Sequence, residues 1–240
     1  FMIEANVIVM NGNKISEELA SDCLAYGKKF GLEITKFNAV WGDSVEKEYN
    51  NYNLKPFPGL YPFWKFWKFK SNRDTKGVRG CFLSHFILWK KCLSDNKPLI
   101  IFEHDALVIR PLDINNLLSK FDDVLNLDAF FRVAPVYKEW LKKDNGNGVS
   151  LLFDTLPAAS GLKLYKNTQI KGLHAYIIKP PGAKKLIEKT YSEGVLPADI
   201  AVNSVWCNLY RTDTSLCQIN LKYWSDKDRK FTYSYTKSEV

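Results

Sequence analysis

The sequence predicts an α/β fold with a mostly parallel central sheet flanked by helices. Three observations lead there. Pro98-Leu99-Ile100-Ile101-Phe102 is an apolar run that stops abruptly at Glu103-His104-Asp105. The chain opens as strand, helix and strand between Asn6 and Val40, and a second helix–strand unit spans residues 80 to 103. A short, continuous apolar run with β-branched residues suits a strand covered on both faces, the habit of parallel sheets.

The opening unit is justified residue by residue. Asn6-Val7-Ile8-Val9-Met10 reads as a strand stopped by the turn residues Asn11-Gly12-Asn13. Ser16 followed by Glu17 and Glu18 marks a helix start, where the helix dipole favours acids. Leu19, Cys23, Tyr26 and Phe30 then recur at helical spacing up to Gly31, and Leu32 to Val40 forms the next strand. The right-handed crossover rule makes these two strands parallel. Asn11 to Asn13 therefore share a sheet edge with Glu103 and Asp105, the edge where open α/β sheets hold ligands, and a nucleotide fits across it. No GxGxxG or GxxxxGK[ST] occurs, so Rossmann and P-loop readings lack their signatures.

Residues 41 to 76 read as irregular. Within them Tyr61 to Lys70 interleaves aromatics with lysines, and Trp64, Lys65, Trp67 and Lys68 suit stacking on an acceptor and contact with its phosphates, or a membrane interface. The plainer alternative is a long loop whose aromatics pack back on the domain. Next, Gly80 to Ser94 is helical and apolar on most sides. The glycines and Arg79 at its start suit a phosphate, whereas His85 at its middle is either a site residue or a satisfied core histidine. Alternation along the following strand sends Glu103 and Asp105 to one side and His104 to the other. Two carboxylates so placed suit Mn2+ or Mg2+, against the bland alternative of a solvated strand end.

Beyond Arg110, residues 114 to 121 read as helix, Asp128 to Val133 as strand, Trp140 to Gly148 and Gly161 to Thr168 as loops, and Ile170 to Lys179 as strand. A helix begins at Pro180-Pro181-Gly182. Leu196-Pro197-Ala198-Asp199 then leads into an apolar helix over 200 to 210, with Asp199 either a functional carboxylate or that helix's N-cap. The tail from Lys222 to Val240 is basic and aromatic and is expected to fold over the site.

Composition narrows the class. Charged residues are 25% and hydrophobic residues 46% of the 240, an ordinary globular balance. The formal net charge of +8 with 14% aromatics favours a polyanionic partner such as nucleic acid, an anionic membrane surface or a phosphorylated glycan. The five cysteines are odd in number and without CxxC spacing, so neither a disulfide framework nor a zinc knuckle is suggested, and a reducing cytoplasm fits. No apolar run reaches about 18 residues, so no transmembrane segment is expected.

Gly77-Val78-Arg79-Gly80-Cys81-Phe82-Leu83-Ser84-His85-Phe86-Ile87-Leu88-Trp89-Lys90, followed by Pro98 to Asp105, resembles glycosyltransferase family 25, which includes lipooligosaccharide and collagen galactosyltransferases. That family's signature reads roughly G-x-x-x-C-x-x-S-H-x-x-x-W, then a strand ending in E-D-D. The segments at His174 to Ile178 and at Leu196 to Asp199 follow in the family's order. The resemblance implies one GT-A-like domain over the chain, a nucleotide-sugar donor (a UDP-sugar foremost), a divalent metal, and inverting transfer of a hexose or pentose. It puts the acidic motif on Glu103 and Asp105 as metal and diphosphate ligands, with His104 standing where the family has its middle acid. It also implies that Asp199 is the base, Arg79 a diphosphate contact, Asn11 or Asn13 a nucleotide contact, and His85 a candidate donor-site residue. The Glu-His-Asp variant and the opening from Val9 to Ser16 look more like members from large tailed bacteriophages, which points to hydroxymethylated pyrimidines in DNA as acceptor. A lipooligosaccharide terminus is the rival acceptor. Two other classes stay open: a metal-dependent phosphoesterase, for which Asp74 and Asp113 are scattered further carboxylates, and a non-catalytic nucleic-acid-binding module in which His104 marks decay.

Overall fold

A computed structural model describes residues 3–56, 76–128, 148–151 and 173–223. The seven-stranded sheet has the order β2-β1-β3-β7-β5-β8-β6. Its members are β1 (Glu4–Val9), β2 (Thr35–Asn38), β3 (Leu99–Glu103), β5 (Val124–Asn126), β6 (Val149–Leu151), β7 (Ala175–Ile178) and β8 (Leu209–Thr212). Strands β2, β1, β3, β5 and β8 run one way, and β7 and β6 run against them. The mostly parallel α/β sheet read from the sequence is therefore present. A separate pair joins β4 (Ala106–Val108) to β9 (Cys217–Ile219).

Strand β3 shows why the sheet is covered on both sides. Leu99 and Ile101 pack with α3 (Lys76–Asp95) and α5 (Pro180–Glu193), whereas Ile100 and Phe102 pack with α1 (Lys14–Lys29) and α4 (Ile114–Leu118). All four are buried, so the run has no polar face. Since α1 covers one face and α3 the other, β1 with β2 and β3 on either side is a topological switch point. Its carboxyl edge is a natural ligand crevice.

Several element boundaries differ from the sequence expectation, each for a local reason. The stretch 41–76 contains α2 (Ser44–Asn51), whose Val45 and Tyr49 are buried one turn apart beside α3; residues 57–75, with Trp64, Lys65, Trp67 and Lys68, lie outside the described residues. Helix α3 begins a turn earlier than expected, so Gly77 to Gly80 lie inside the helix. Asp113 caps α4, accepting from the Asn116 N–H at 3.2 Å. Strand β5 ends at Asn126, whose side chain turns the chain by bonding both the N–H and the carbonyl of Asp128; of the strand expected over 128–133, residues 129–133 lie outside the described residues. In place of a helix over 200–210 there is α6 (Ala198–Ala201). The Asn203 amide donates to the carbonyls of Ile200 and Ala201 and its oxygen accepts from Val205 and Trp206, which closes the helix and frees Leu209–Thr212 for the sheet. Of the tail, Asn220 bonds Asp22, Lys222 reaches Glu18 and Asp22, and Tyr223 bonds Glu18, so this segment lies along α1.

Helix α3 docks through two small residues. The Ser84 hydroxyl accepts from Val40 N–H at 2.9 Å and donates to the Gly80 carbonyl at 2.8 Å. A Cβ on Gly80 would stand 2.5 Å from the Val40 carbonyl oxygen and 3.2 Å from Val45 Cγ2. Gly80→Ala is thus expected to destabilise the ligand-free protein by about 1–3 kcal/mol, read as a lower denaturant midpoint with unchanged slope. An unchanged midpoint would return Gly80 to a ligand-facing role.

Candidate active site

The site grows from the last residue of β3. By strand parity Glu103 lies on the α3 face, below Ile101, and its Oε1 is 3.3 Å from His85 Nε2 and 3.8 Å from Cys81 Sγ. His85 is fully buried, and its Nδ1 is 2.9 Å from the Tyr176 hydroxyl on β7. That hydroxyl accepts from Trp89 Nε1 at 2.8 Å. Because indole nitrogen only donates, the Tyr176 oxygen is the acceptor there, and its own hydrogen is free to go to His85 Nδ1. The remaining imidazole proton then sits on Nε2 and points at the Glu103 carboxylate. The chain Trp89–Tyr176–His85–Glu103 is a directed set of hydrogen bonds running from the core to the sheet edge.

Electrostatics separates the two carboxylates. Burial raises the Glu103 pKa, but the hydrogen bond and charge of His85, with the charges of His174 and His104, outweigh burial and hold it below the usual value. Asp105 is pushed up, by burial first and then by the Glu103 charge. Asp105 Oδ1 is a buried atom with no hydrogen-bond partner among the described residues. Its backbone is held, since the carbonyl accepts from the Asn220 N–H and the Glu103 N–H donates to the His174 carbonyl at 2.8 Å. His174 Nε2 meets Asp128 Oδ2 at 3.0 Å, and Asp128 Oδ1 accepts from Ser215 at 2.8 Å. Burial lowers the His174 pKa, but the Asp128 bond and the charges of Asp105, Glu103 and Asp128 prevail and raise it.

Asp199 lies in the first turn of α6, where the N-cap is Pro197. Its charge reaches Cys81: the thiol is raised well above its usual value by burial first, then by Glu103, Asp199 and Asp105. Glu103, His85 and Cys81 thus come together from β3 and α3, and Asp105 just past β3 and Asp199 on α6 are near enough for their charges to act on Cys81. The other expected residues stand apart. Asn13 caps α1, accepting from Ser16 N–H at 3.0 Å, and the Gly12 N–H is held by Glu17 at 2.7 Å. Asn11 is exposed at the same sheet edge, its amide donating to Asn38 at 2.8 Å. Arg79 is engaged by Glu46 at 3.0 and 3.1 Å and lies over the Tyr49 ring, directed at α2. Sequence reasoning missed Cys81, Tyr176 and Asp128. The four-residue spacing of Cys81 and His85 was the one signal available for the first; the other two depend on strand order.

The profile of glycosyltransferase family 25 (LPS biosynthesis protein) matches residues 12–202, which include every element of this cluster. The chain belongs to glycosyltransferase family 25. It is 25% identical over 207 residues to a glycosyltransferase 25 family member of Aedes aegypti, covering 82% of this chain and 30% of that protein. Two lipooligosaccharide biosynthesis proteins of Haemophilus influenzae are also similar. Lic2B is 27% identical over 113 residues (43% of this chain, 42% of lic2B), and lex-1 is 51% identical over 75 residues (27% of this chain, 25% of lex-1). The chain thus spans less than half the length of each relative. Among solved structures, apo mouse xyloside xylosyltransferase 1 aligns with a TM-score of 0.37 at 8% identity, covering 85% of this chain and 81% of that one, too loose a likeness to argue from.

In this family 25 chain, Tyr176→Phe keeps the ring and removes the one oxygen shared by Trp89 and His85. Leaving both buried nitrogens unpartnered is expected to cost about 1–3 kcal/mol in unfolding free energy. Calorimetry or denaturant titration reads it, and a neutral result would sever His85 from this chain of bonds.

Proposed function

We propose that the protein is a divalent-metal-assisted glycosyltransferase that moves a sugar from a nucleotide-sugar, foremost a UDP-sugar, to an acceptor hydroxyl. The observation that carries this is the pairing of Glu103 with Asp105 at the switch-point edge of a family 25 chain, with Asp105 Oδ1 buried and unsatisfied among the described residues. An orphaned carboxylate oxygen beside a charged carboxylate fits a hard cation, so Glu103 and Asp105 are the residues that would hold Mn2+ or Mg2+. When bound, the ion offsets the charge that develops on the departing nucleoside diphosphate.

The chain's own residues divide the rest. His85 keeps Glu103 ionised and oriented through the bond from Nε2. Asp199, whose field reaches the same cluster, takes the proton of the attacking hydroxyl, and attack opposite the leaving group inverts the anomeric centre. Asn11 offers an exposed amide to the nucleotide at the β1 edge. Asn13 and Arg79 are less suited, because helix capping and the Glu46 pair already occupy them.

The Haemophilus relatives favour a lipooligosaccharide terminus as acceptor, whereas the +8 charge also suits hydroxymethylated pyrimidines in DNA. For a DNA acceptor, Lys65 and Lys68 supply phosphate contacts, and changing them to Ala would flatten the salt dependence of binding.

UDP release with Mn2+, run across UDP-sugars with lipooligosaccharide, hydroxymethylcytosine DNA and unmodified DNA, tests class and acceptor together. Transfer to one acceptor is expected, with Asp105→Asn lowering turnover about a hundredfold or more and chelator doing the same. DNA cleavage without UDP release would establish a phosphoesterase instead. Acceptor binding with no release, unaltered in Asp105→Asn, would establish a binding module.

A further inference from the structure

Cys81 is the member of the cluster for which sugar transfer has no task. It lies one turn before His85 on α3, the spacing that sets two helical side chains next to each other, and both reach Glu103. Cys81 Sγ, His85 Nε2 and a Glu103 carboxylate oxygen all lie within 4.8 Å of one another. The nitrogen–oxygen separation is 3.3 Å and the sulfur–oxygen separation 3.8 Å. Ligands held about 2.0–2.3 Å from a tetrahedral zinc ion stand about 3.3–3.7 Å from one another, so a small rotation of Cys81 closes the set. We propose that Cys81, His85 and Glu103 form a site for a thiophilic divalent cation, Zn2+ in preference to Mn2+ or Mg2+.

Three features support it. The first is the ligand set: one thiolate, one imidazole and one carboxylate around an open fourth position is a zinc-type set, and thiolate does not suit the hard cation that Asp105 and Glu103 would share. The second is position: the same Glu103 oxygen faces both the Cys81 sulfur and the His85 nitrogen, so the three donor atoms already turn towards one point. The third lies behind the histidine. Tyr176 contacts His85 Nδ1, and a second partner on the far nitrogen is what orients a ligating imidazole. On binding, the Cys81 thiol gives its proton to solvent and a sulfur–metal bond forms. His85 loses the Nε2 proton and carries one on Nδ1 instead, donated towards the Tyr176 oxygen, so one proton is released per ion. Because Glu103 belongs to both sets, occupancy here excludes the hard cation.

The inference does not depend on sugar transfer, and its test needs none. The full chain is titrated with Co2+ and then Zn2+ while near-ultraviolet absorption is followed. A thiolate-to-cobalt band saturating at one ion per chain is expected, displaced by Zn2+ but not by Mn2+ at equal concentration. Cys81→Ser is expected to abolish the band and weaken Zn2+ binding by about tenfold or more, with the metal-free melting temperature unchanged. A band that survives in Cys81→Ser comes from another of the five cysteines and overturns the proposal, as does the absence of a band in the parent chain. If Cys81→Ser melts early, Glu103→Gln decides: about tenfold weaker Zn2+ binding supports the site and unchanged binding removes it. Sugar transfer without a cobalt band would sink this proposal alone, and a cobalt band without sugar transfer would sink the proposed function alone.

Discussion

A carboxylate at the end of a fully buried strand must be kept charged, and most of this structure follows from how that is done. Leu99 to Phe102 have no contact with water, so Glu103 emerges from an environment that opposes ionisation. What reverses that tendency, together with the charges of His174 and His104, is the imidazole of His85, delivered from the middle of α3 and fixed from behind by Tyr176 and Trp89. To deliver it, α3 has to lie close on the sheet, which is why Gly80 has no side chain and Ser84 bonds the backbone of residue 40. The apolar helix surface around Phe82, Phe86 and Trp89 is the packing that holds a polar device in register.

The same constraint explains the placement of every histidine in the chain. There are three, and all three act on the Glu103–Asp105 pair: His85 by direct hydrogen bond, His104 and His174 by charge. His174 is itself steadied by Asp128, which Ser215 holds in turn, so residues from β3, β7 and the ends of β5 and β9 converge on one edge. The strand order brings them there, because β7 inserts antiparallel between β3 and β5.

That insertion also marks the limit of what the sequence makes legible. The β1–α1–β2 opening and the α3–β3 unit follow from local periodicity, and with them the shared edge of Asn11 and Glu103, because right-handed crossovers leave one arrangement. The pairing of β7 with β3 leaves no local trace, so neither Tyr176 nor the His174–Asp128 pair was visible. The end of β5 and the early end of α6 are set by Asn126 and Asn203, whose side chains compete with the backbone, and an apolar run read by period alone passes over such residues. Arg79, a basic residue near glycines that suits a phosphate, lies inside the first turn of α3, and that further helical turn directs it to Glu46. Asp199 was legible as a carboxylate ahead of apolar residues, yet its convergence with Glu103 rests on α6 packing beside α3.

The charge of this edge sets a condition on any donor. Two unit charges about 4 Å apart repel by about 4 kcal/mol at the effective dielectric of a protein surface, and a diphosphate meeting Glu103, Asp105 and Asp199 meets several such pairs. Arg79 does not relieve this, because Glu46 engages it at 3.0 and 3.1 Å. An edge built from carboxylates, imidazoles and one thiol therefore favours a cation, and that preference underlies both proposals made above. In those proposals the two cations compete for one carboxylate, since Glu103 serves Asp105 in the first and Cys81 in the second.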